Sequence, residues 1–460
     1  MIPYKAALAG WIIVSILLMA DRNNARGFSL AFIGSLMLMP AKYGLDLPGL
    51  PSLEKIHVAC LGVIIGTILF HPKVIENMKL VPSDLLLVGS MQMMFASAVV
   101  NDQGYFSGAS RALQFGLEFA LPVFLARLHI GTPRGMRTFL LTMVLAAVAY
   151  APLAVWEFRM SPQIHTEVYG YFQHTFAQFR RGSFWRPVLF FPHALDLGRF
   201  FAFTAFLAML PMRRDLLDLF GRRGKFLFLL PLLGLFVSQS WGPYMMFFLL
   251  CGGYFMIQRN TLIAYIIPII AFTWLAMLFA GLQPGFSFVA DISNVNQDRA
   301  ESLAYRLRAL EYYRPVLLEQ PFLGYGGFGN GRLDGVATDS QALMNIVQSG
   351  FLGAAIFYAW WVVGMHAAFS VMRKVPNTIL AKRAAAAGMM ASLALSINVI
   401  DQALNSFLLL ILGGFIGIHV WLNTNQNEGS TQSLLQSMAA QTNDPPNDRE
   451  HPPHQTEQPG

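Results

Sequence analysis

Arg299-Ala-Glu-Ser-Leu-Ala-Tyr-Arg-Leu-Arg-Ala-Leu-Glu-Tyr-Tyr-Arg314 lies inside a polar run from about Gly281 to Asp339, with hydrophobic segments before and after it. The run opens with Ser287–Asp298, passes through Pro321-Phe-Leu-Gly-Tyr-Gly-Gly-Phe-Gly329 and ends at Thr338-Asp339-Ser340. Its basic residues Arg299, Arg306, Arg308, Arg314 and Arg332 are all arginines. A planar guanidinium grips phosphate or carboxylate oxygens in pairs, which an ammonium cannot do. The pattern predicts an extramembrane loop, set on a membrane bundle, that handles an anionic lipid-linked substrate.

Outward from the loop the chain is strongly apolar. Hydrophobic residues make up 55% and charged residues only 12%, about half the charged fraction of a soluble domain. Apolar stretches near the length of a bilayer core recur throughout. The fold class read from this is an all-α integral membrane protein, a polytopic helical bundle of about 12–13 spans with a long, partly helical periplasmic loop. Candidate spans fall near 6–20, 28–41, 56–71, 83–100, 111–127, 138–157, 188–211, 226–240, 243–258, 261–280, 341–371, 384–402 and 406–422. Both cysteines, Cys60 and Cys251, sit in apolar segments, so neither a disulfide framework nor a cysteine metal site is expected. The first apolar stretch, Ala6–Ala20, lacks a basic flank and a cleavage site, so no cleavable signal is expected.

Charge placement sets the expected orientation. Met212–Lys225 carries Arg213, Arg214, Arg222, Arg223 and Lys225, and Arg373–Arg383 carries Arg373, Lys374, Lys382 and Arg383. Both are expected in the cytoplasm. The domains are then 1–157 (amino-terminal helices), 158–187 (first periplasmic loop), 188–280 (central helices), 281–340 (large periplasmic loop), 341–422 (carboxy-terminal helices) and 423–460 (a polar, disordered cytoplasmic tail).

Several side chains carry candidate chemistry. Arg181 and Arg186 lie in Arg180-Arg-Gly-Ser-Phe-Trp-Arg186-Pro187, at the end of the first loop. Arg186 reads either as a phosphate ligand or as an interfacial arginine reaching for water. His193, Asp196 and Arg199 share a helical face within a span, as a polar site or as a structural ion pair. In Ser238-Gln-Ser-Trp-Gly-Pro243, Gly-Pro predicts a helix-breaking turn. Asp298-Arg-Ala-Glu301 resembles a capping box for a helix that ends before Pro315. Leu303, Leu307 and Leu310 form that helix's apolar side, Arg306 and Tyr313 lie near one edge, and Arg308 and Tyr312 pair at i,i+4. The helix reads as amphipathic and surface-lying, with arginines for substrate or for lipid headgroups. Gly324 and Gly326 permit close approach of backbone to substrate, although the run is neither a Walker loop nor a dinucleotide fingerprint. Asp339, at the mouth of a span, reads as a general base toward a sugar hydroxyl, as an N-cap, or as both.

Together these blocks resemble the O-antigen ligase and polymerase superfamily, in its exopolysaccharide-associated branch. Ser302-x-x-x-Arg306, Pro321-Phe-Leu-Gly-Tyr-Gly, Asp339-Ser and Gly350-Phe-Leu-Gly353 carry the likeness, with Arg186-Pro…Phe-Phe-Pro-His193 and Ser238–Pro243 as two earlier blocks. The amino-terminal Met-Ile-Pro-Tyr and Leu47-Pro-Gly-Leu-Pro51 point to the branch. The resemblance implies a metal-independent, inverting glycosyltransferase of the bacterial inner membrane that needs no cofactor. Its donor would be a glycan on undecaprenyl pyrophosphate. By position Arg186 and Arg306 match the family's pyrophosphate arginines. Arg181, His193, Arg199, Arg308, Tyr312, Gly324 and Gly326 are expected to line the substrate. Asp339 stands where ligases carry His, which favours polymerisation or an acceptor other than lipid A core. Expected partners are the lipid-linked glycan, the bilayer and other polysaccharide assembly proteins, with no nucleic acid.

Two other classes remain open on the sequence. A transporter or flippase of an anionic amphiphile would use His193, Asp196 and Arg199 as its path. A non-catalytic scaffold of a polysaccharide assembly complex would need none of these groups.

Overall fold

The computed structural model describes residues 1–76, 78–282, 297–327, 329–336, 339–402 and 405–427. The polar residues 287–296 and the tail beyond Asn427 lie outside these, as do the side chains of Asp298, Arg299, Ser302 and Leu303. The described residues are mostly helical. Helices α1 (Tyr4–Leu18), α2 (Asn24–Leu38), α3 (Lys55–Phe70), α4 (Pro72–Glu76) and α5 (Asp84–Val100) come first. Helices α6 (Gly104–Phe115) and α7 (Leu121–Ile130) are joined by a π turn, Gly116–Ala120, into one rod. Then follow α8 (Pro133–Met160), α9 (Ile164–Tyr169), the two-residue strands β1 (Arg180–Arg181) and β2 (Phe184–Trp185), α10 (Ala194–Met209) and α11 (Arg213–Phe220). After them come α12 (Leu229–Val237), α13 (Trp241–Arg259), α14 (Leu262–Phe279), α15 (Gln297–Glu319), α16 (Gln341–Lys374), α17 (Ile379–Ile397) and α18 (Asn405–Asn427).

Among the described residues six helices are long and apolar enough to cross a membrane: Gly104–Ile130, Pro133–Met160, Leu262–Phe279, Gln341–Lys374, Ile379–Ile397 and Ser406–Thr424. A seventh forms if Ala194–Met209 and Arg213–Phe226, bent by 73°, count as one span. Helices α1, α3 and α5 are apolar but shorter, at 15, 16 and 17 residues. At 1.5 Å per residue, 15 residues reach about 22 Å, short of a bilayer core of about 30 Å. The chain is thus a helical, multi-pass membrane protein, and among the described residues fewer helices are long and apolar enough to cross than its apolar segments suggest. An apolar run records what a segment avoids, not how long its helix is.

Helix bounds shift by several residues along the chain, and three differences bear on the loops and the tail. Helix α15 continues through Pro315 to Glu319. Proline removes only one helical hydrogen bond, and Leu307, Leu310, Tyr313 and Leu317 are all buried on the continuing apolar face. In Ser238–Pro243 the break falls at Gln239, whose φ is +49°, while Gly242 and Pro243 sit in the first turn of α13. A first-turn proline gives up an N–H that has no helical partner. The segment 423–427 extends α18 instead of joining the tail.

Helix α16 is interrupted at Gly350, with φ +68° and ψ −179°. The glycine-rich turn fills the gap: Phe351 N donates to Pro321 O at 2.7 Å, Tyr325 N to Val347 O at 2.8 Å and Gly326 N to Gln348 O at 3.0 Å. A Cβ on Gly350 would lie 2.1 Å from Phe322 O, so both backbone angle and space demand glycine there. Across this joint, Asn101 Nδ2 donates to Gly324 O and Gln103 Nε2 to Tyr325 O, which fastens the turn to the end of α5.

At the opposite end of the bundle, Asp215 is buried between Arg137 and Arg383, which ties α11 to the starts of α8 and α17. Arg127 and Asp84 form a second buried pair, at 2.6 and 2.9 Å.

Candidate functional site

The two loop regions meet at one end of the bundle. The meeting is set by how α17 stops. The carbonyls of Asn398 and Val399 accept from Ser340 Oγ at 3.3 and 2.7 Å, and Ala342 N donates to Asn398 O at 2.8 Å. Unsatisfied carbonyls at one helix end thus meet unsatisfied N–H groups at another. The docking places Asp401, just past α17, beside Asp339, just before α16.

An ion network spreads from Asp401. Its Oδ1 lies 2.7 Å from Arg199 Nη2, and its Oδ2 lies 3.8 Å from Arg306 Nη2. Arg199 Nη1 also holds Asp196 Oδ1 at 3.0 Å within α10. Arg306 places both Nε and Nη2 at 3.1 Å from Asp339 Oδ2. Three arginine–aspartate contacts thereby join α10, α15 and the ends of α16 and α17, which lie far apart in sequence. The network grades from buried to open: the Arg199 side chain is 4% exposed, that of Arg306 22% and that of Asp339 51%.

Asp339 does not cap α16. Ser340 does, its Oγ accepting from Leu343 N at 3.1 Å. The capping alternative for Asp339 is therefore corrected. The chain turns into the helix one residue later, and the carboxylate is left facing outward to Arg306.

The first loop contributes Arg186 and His174, and the start of α10 contributes His193. Arg186 is buried, with Nη2 donating to Ser240 Oγ at 2.7 Å. This corrects the reading of an interfacial arginine reaching for water. Ser240 is the N-cap of α13, so a guanidinium stands at the positive end of a helix dipole. His193 caps α10, its Nδ1 accepting from Leu195 N at 3.1 Å. Neutral His193 in this bond carries its proton on Nε2, and so offers a donor rather than a base. Its pKa is pushed down to about 3 by burial and by Arg186, His174 and Arg199, against the pull of Asp401. The His174 ring lies 4.9 Å from that of His193. Burial and then Lys42 lower the His174 pKa, while Asp339 raises it.

Other expected site residues stand elsewhere. Arg181 is exposed on the β1–β2 hairpin, with Nη1 3.4 Å from Arg180 O. Arg308 is exposed with Nε toward Ala304 O at 3.3 Å, and Tyr312 is 56% exposed, so both face away from the packed side of α15. Gly324 and Gly326, both at positive φ, pack on the α16 break and on α5. Gly324 would bring a Cβ to 2.6 Å from Val347 O, and Gly326 to 2.7 Å from Ala98 Cα.

Sequence reasoning passed over Asp401, His174 and Ser240. Asp401 had a signal: like Asp339, it is a carboxylate at the end of an apolar run. An apolar cleft of about 440 Å³ runs between α14 and α16, from Tyr265 and Met365 to Phe279 and Phe351. Arg314 Nε donates to Phe279 O at that end, at 2.8 Å. Among the described residues no three His, Cys, Asp or Glu side chains lie close enough together to hold a metal ion. No protein-family model and no curated protein matches the chain.

Proposed function

We propose that this end of the bundle transfers glycan from a polyprenyl-pyrophosphate donor to a sugar hydroxyl, as the resemblance to O-antigen ligases and polymerases implies, in a bacterial inner membrane. One observation carries the reading: Arg306, from the second loop, meets Asp339 and Asp401, and Asp401 together with Arg186 from the first loop acts electrostatically on His193. A guanidinium from the second loop then holds a water-facing carboxylate at the rim of the bundle, and one from the first loop lies within electrostatic reach of His193.

The chemistry divides among these groups. Arg186 and Arg306 bind the pyrophosphate and stabilise the charge that grows on it as the bond from the anomeric carbon to phosphate oxygen breaks. Asp339, held on Oδ2 by Arg306, accepts through Oδ1 the proton of the attacking hydroxyl. The hydroxyl oxygen forms the new glycosidic bond, and polyprenyl pyrophosphate leaves. The Nε2–H of neutral His193 donates to a donor oxygen. The α14–α16 cleft is of a size and polarity suited to part of the polyprenyl chain.

The test is reconstitution. The purified protein in proteoliposomes, given a synthetic undecaprenyl-pyrophosphate oligosaccharide, should lengthen the glycan and release undecaprenyl pyrophosphate. Lipid-linked glycan that crosses the bilayer without elongation would identify a flippase instead. Neither outcome, with normal binding of an assembly partner, would leave a scaffold.

A further inference from the structure

Between Arg186 and His193 the chain is irregular, yet its backbone is fastened throughout. Val188 N and Leu189 N both donate to Glu157 Oε2, at 2.8 and 2.9 Å. Gln173 Nε2 donates to Leu189 O at 2.7 Å and Phe191 O at 3.1 Å. Lys55 Nζ donates to Phe190 O at 3.1 Å and to Leu36 O at 3.0 Å. Phe191 N closes the turn on Val188 O at 3.1 Å. Glu157, Gln173 and Lys55 come from α8, the first loop and α3, and all three are buried.

We infer that Glu157, Gln173 and Lys55 are positioning residues that lock the 188–191 turn and thereby fix Arg186 and His193, at its two ends, relative to one another. The identity of what Arg186 and His193 bind rests on the proposed function; the clamp itself rests on the hydrogen bonds. Leu189 is held at φ +49°, a conformation that a leucine adopts only when its surroundings over-determine it. Burying a lysine and a glutamate costs several kcal/mol each before pairing, and neither forms its hydrogen bonds here with an opposite charge. A turn needing only to be stable could use glycine and backbone bonds. Three buried polar side chains converging on four residues suit a site that must hold its groups to a fraction of an ångström.

The probe is farnesyl pyrophosphate, a short polyprenyl pyrophosphate, with binding and backbone amide exchange measured on the full chain in detergent. In Lys55→Met, exchange of the 188–193 amides should quicken and affinity should fall by about tenfold or more, roughly the worth of one hydrogen bond to a charged group. Lys55→Arg, which keeps donors, should recover most of both. Gln173→Met serves the same purpose if Lys55→Met does not accumulate. Arg383→Met, at the other end of the bundle, should lower thermal stability and leave binding intact. Unchanged exchange in Lys55→Met and Gln173→Met would overturn the clamp. Faster exchange with unchanged binding would make the turn merely structural and overturn the positioning role. If the wild type does not bind the probe, there is nothing to position and the inference falls. If it binds the probe but never elongates glycan, the glycosyl-transfer reading fails and the clamp stands.

Discussion

Replacing Asp339 by asparagine separates stability from chemistry. The substitution removes the carboxylate charge and keeps an oxygen that Arg306 can still bind. The pair lies at the rim, with side chains 22% and 51% exposed, and ion pairs of that exposure contribute about 0–1 kcal/mol. The helix start is unaffected because Ser340, not Asp339, caps α16. The expected stability loss is therefore under about 1 kcal/mol, a shift of at most about 2 °C in thermal midpoint for a chain of this size. An amide is no base at neutral pH. Loss of a general base costs about 100- to 10,000-fold in rate, which is about 2.7–5.5 kcal/mol on the barrier. The assays are thermal unfolding of the purified protein and the rate of glycan elongation in proteoliposomes. Asp339→His should recover part of the rate. Full-rate elongation by Asp339→Asn would refute the base assignment, and His193 would be a poor replacement because its Nδ1 is engaged at the start of α10.

Asp401→Asn should behave in the opposite way. It leaves the 4%-exposed Arg199 with Asp196 alone, so a loss of about 1–3 kcal/mol is expected in thermal unfolding, below the cost of an uncompensated buried charge; an unchanged midpoint would show that Asp401 is dispensable. Arg186→Lys and Arg306→Lys keep charge but not the fork, and both should cripple elongation while the protein accumulates normally, whereas Arg332→Lys should be tolerated. For His193 the folded pKa, about 3, lies below the unfolded value of about 6.5. Its contribution is therefore complete above about pH 6.5 and is lost as pH falls toward 3, by about 2 kcal/mol at pH 5. His193→Asn, which can still cap α10, should flatten that part of the stability profile measured between pH 7 and 5. In a background without reactive cysteine, Ser183→Cys should be labelled from the outer face of intact cells and Lys225→Cys should not; the reverse would invert the orientation.

The sequence by itself pointed to a helical membrane protein, because charged residues make up only 12% and apolar stretches near the length of a bilayer core recur throughout. It also singled out Arg186 and Asp339, which stand where loops meet apolar spans, and Arg306, which lies in an all-arginine polar run. It could not tell a full crossing from a short apolar helix such as α1, because length in the bilayer depends on where the helix stops. It placed the break in Ser238–Pro243 on Gly-Pro, whereas packing put the kink at Gln239 and used the proline to start α13. Only the tertiary structure decided that Arg306 meets Asp339, that Asp401 links Arg306 to Arg199, and that Gly324 and Gly326 brace a broken helix. Those pairings depend on the end of α17 docking against the start of α16. That is a contact between segments about 60 residues apart, settled by mutual satisfaction of backbone groups that no local pattern records.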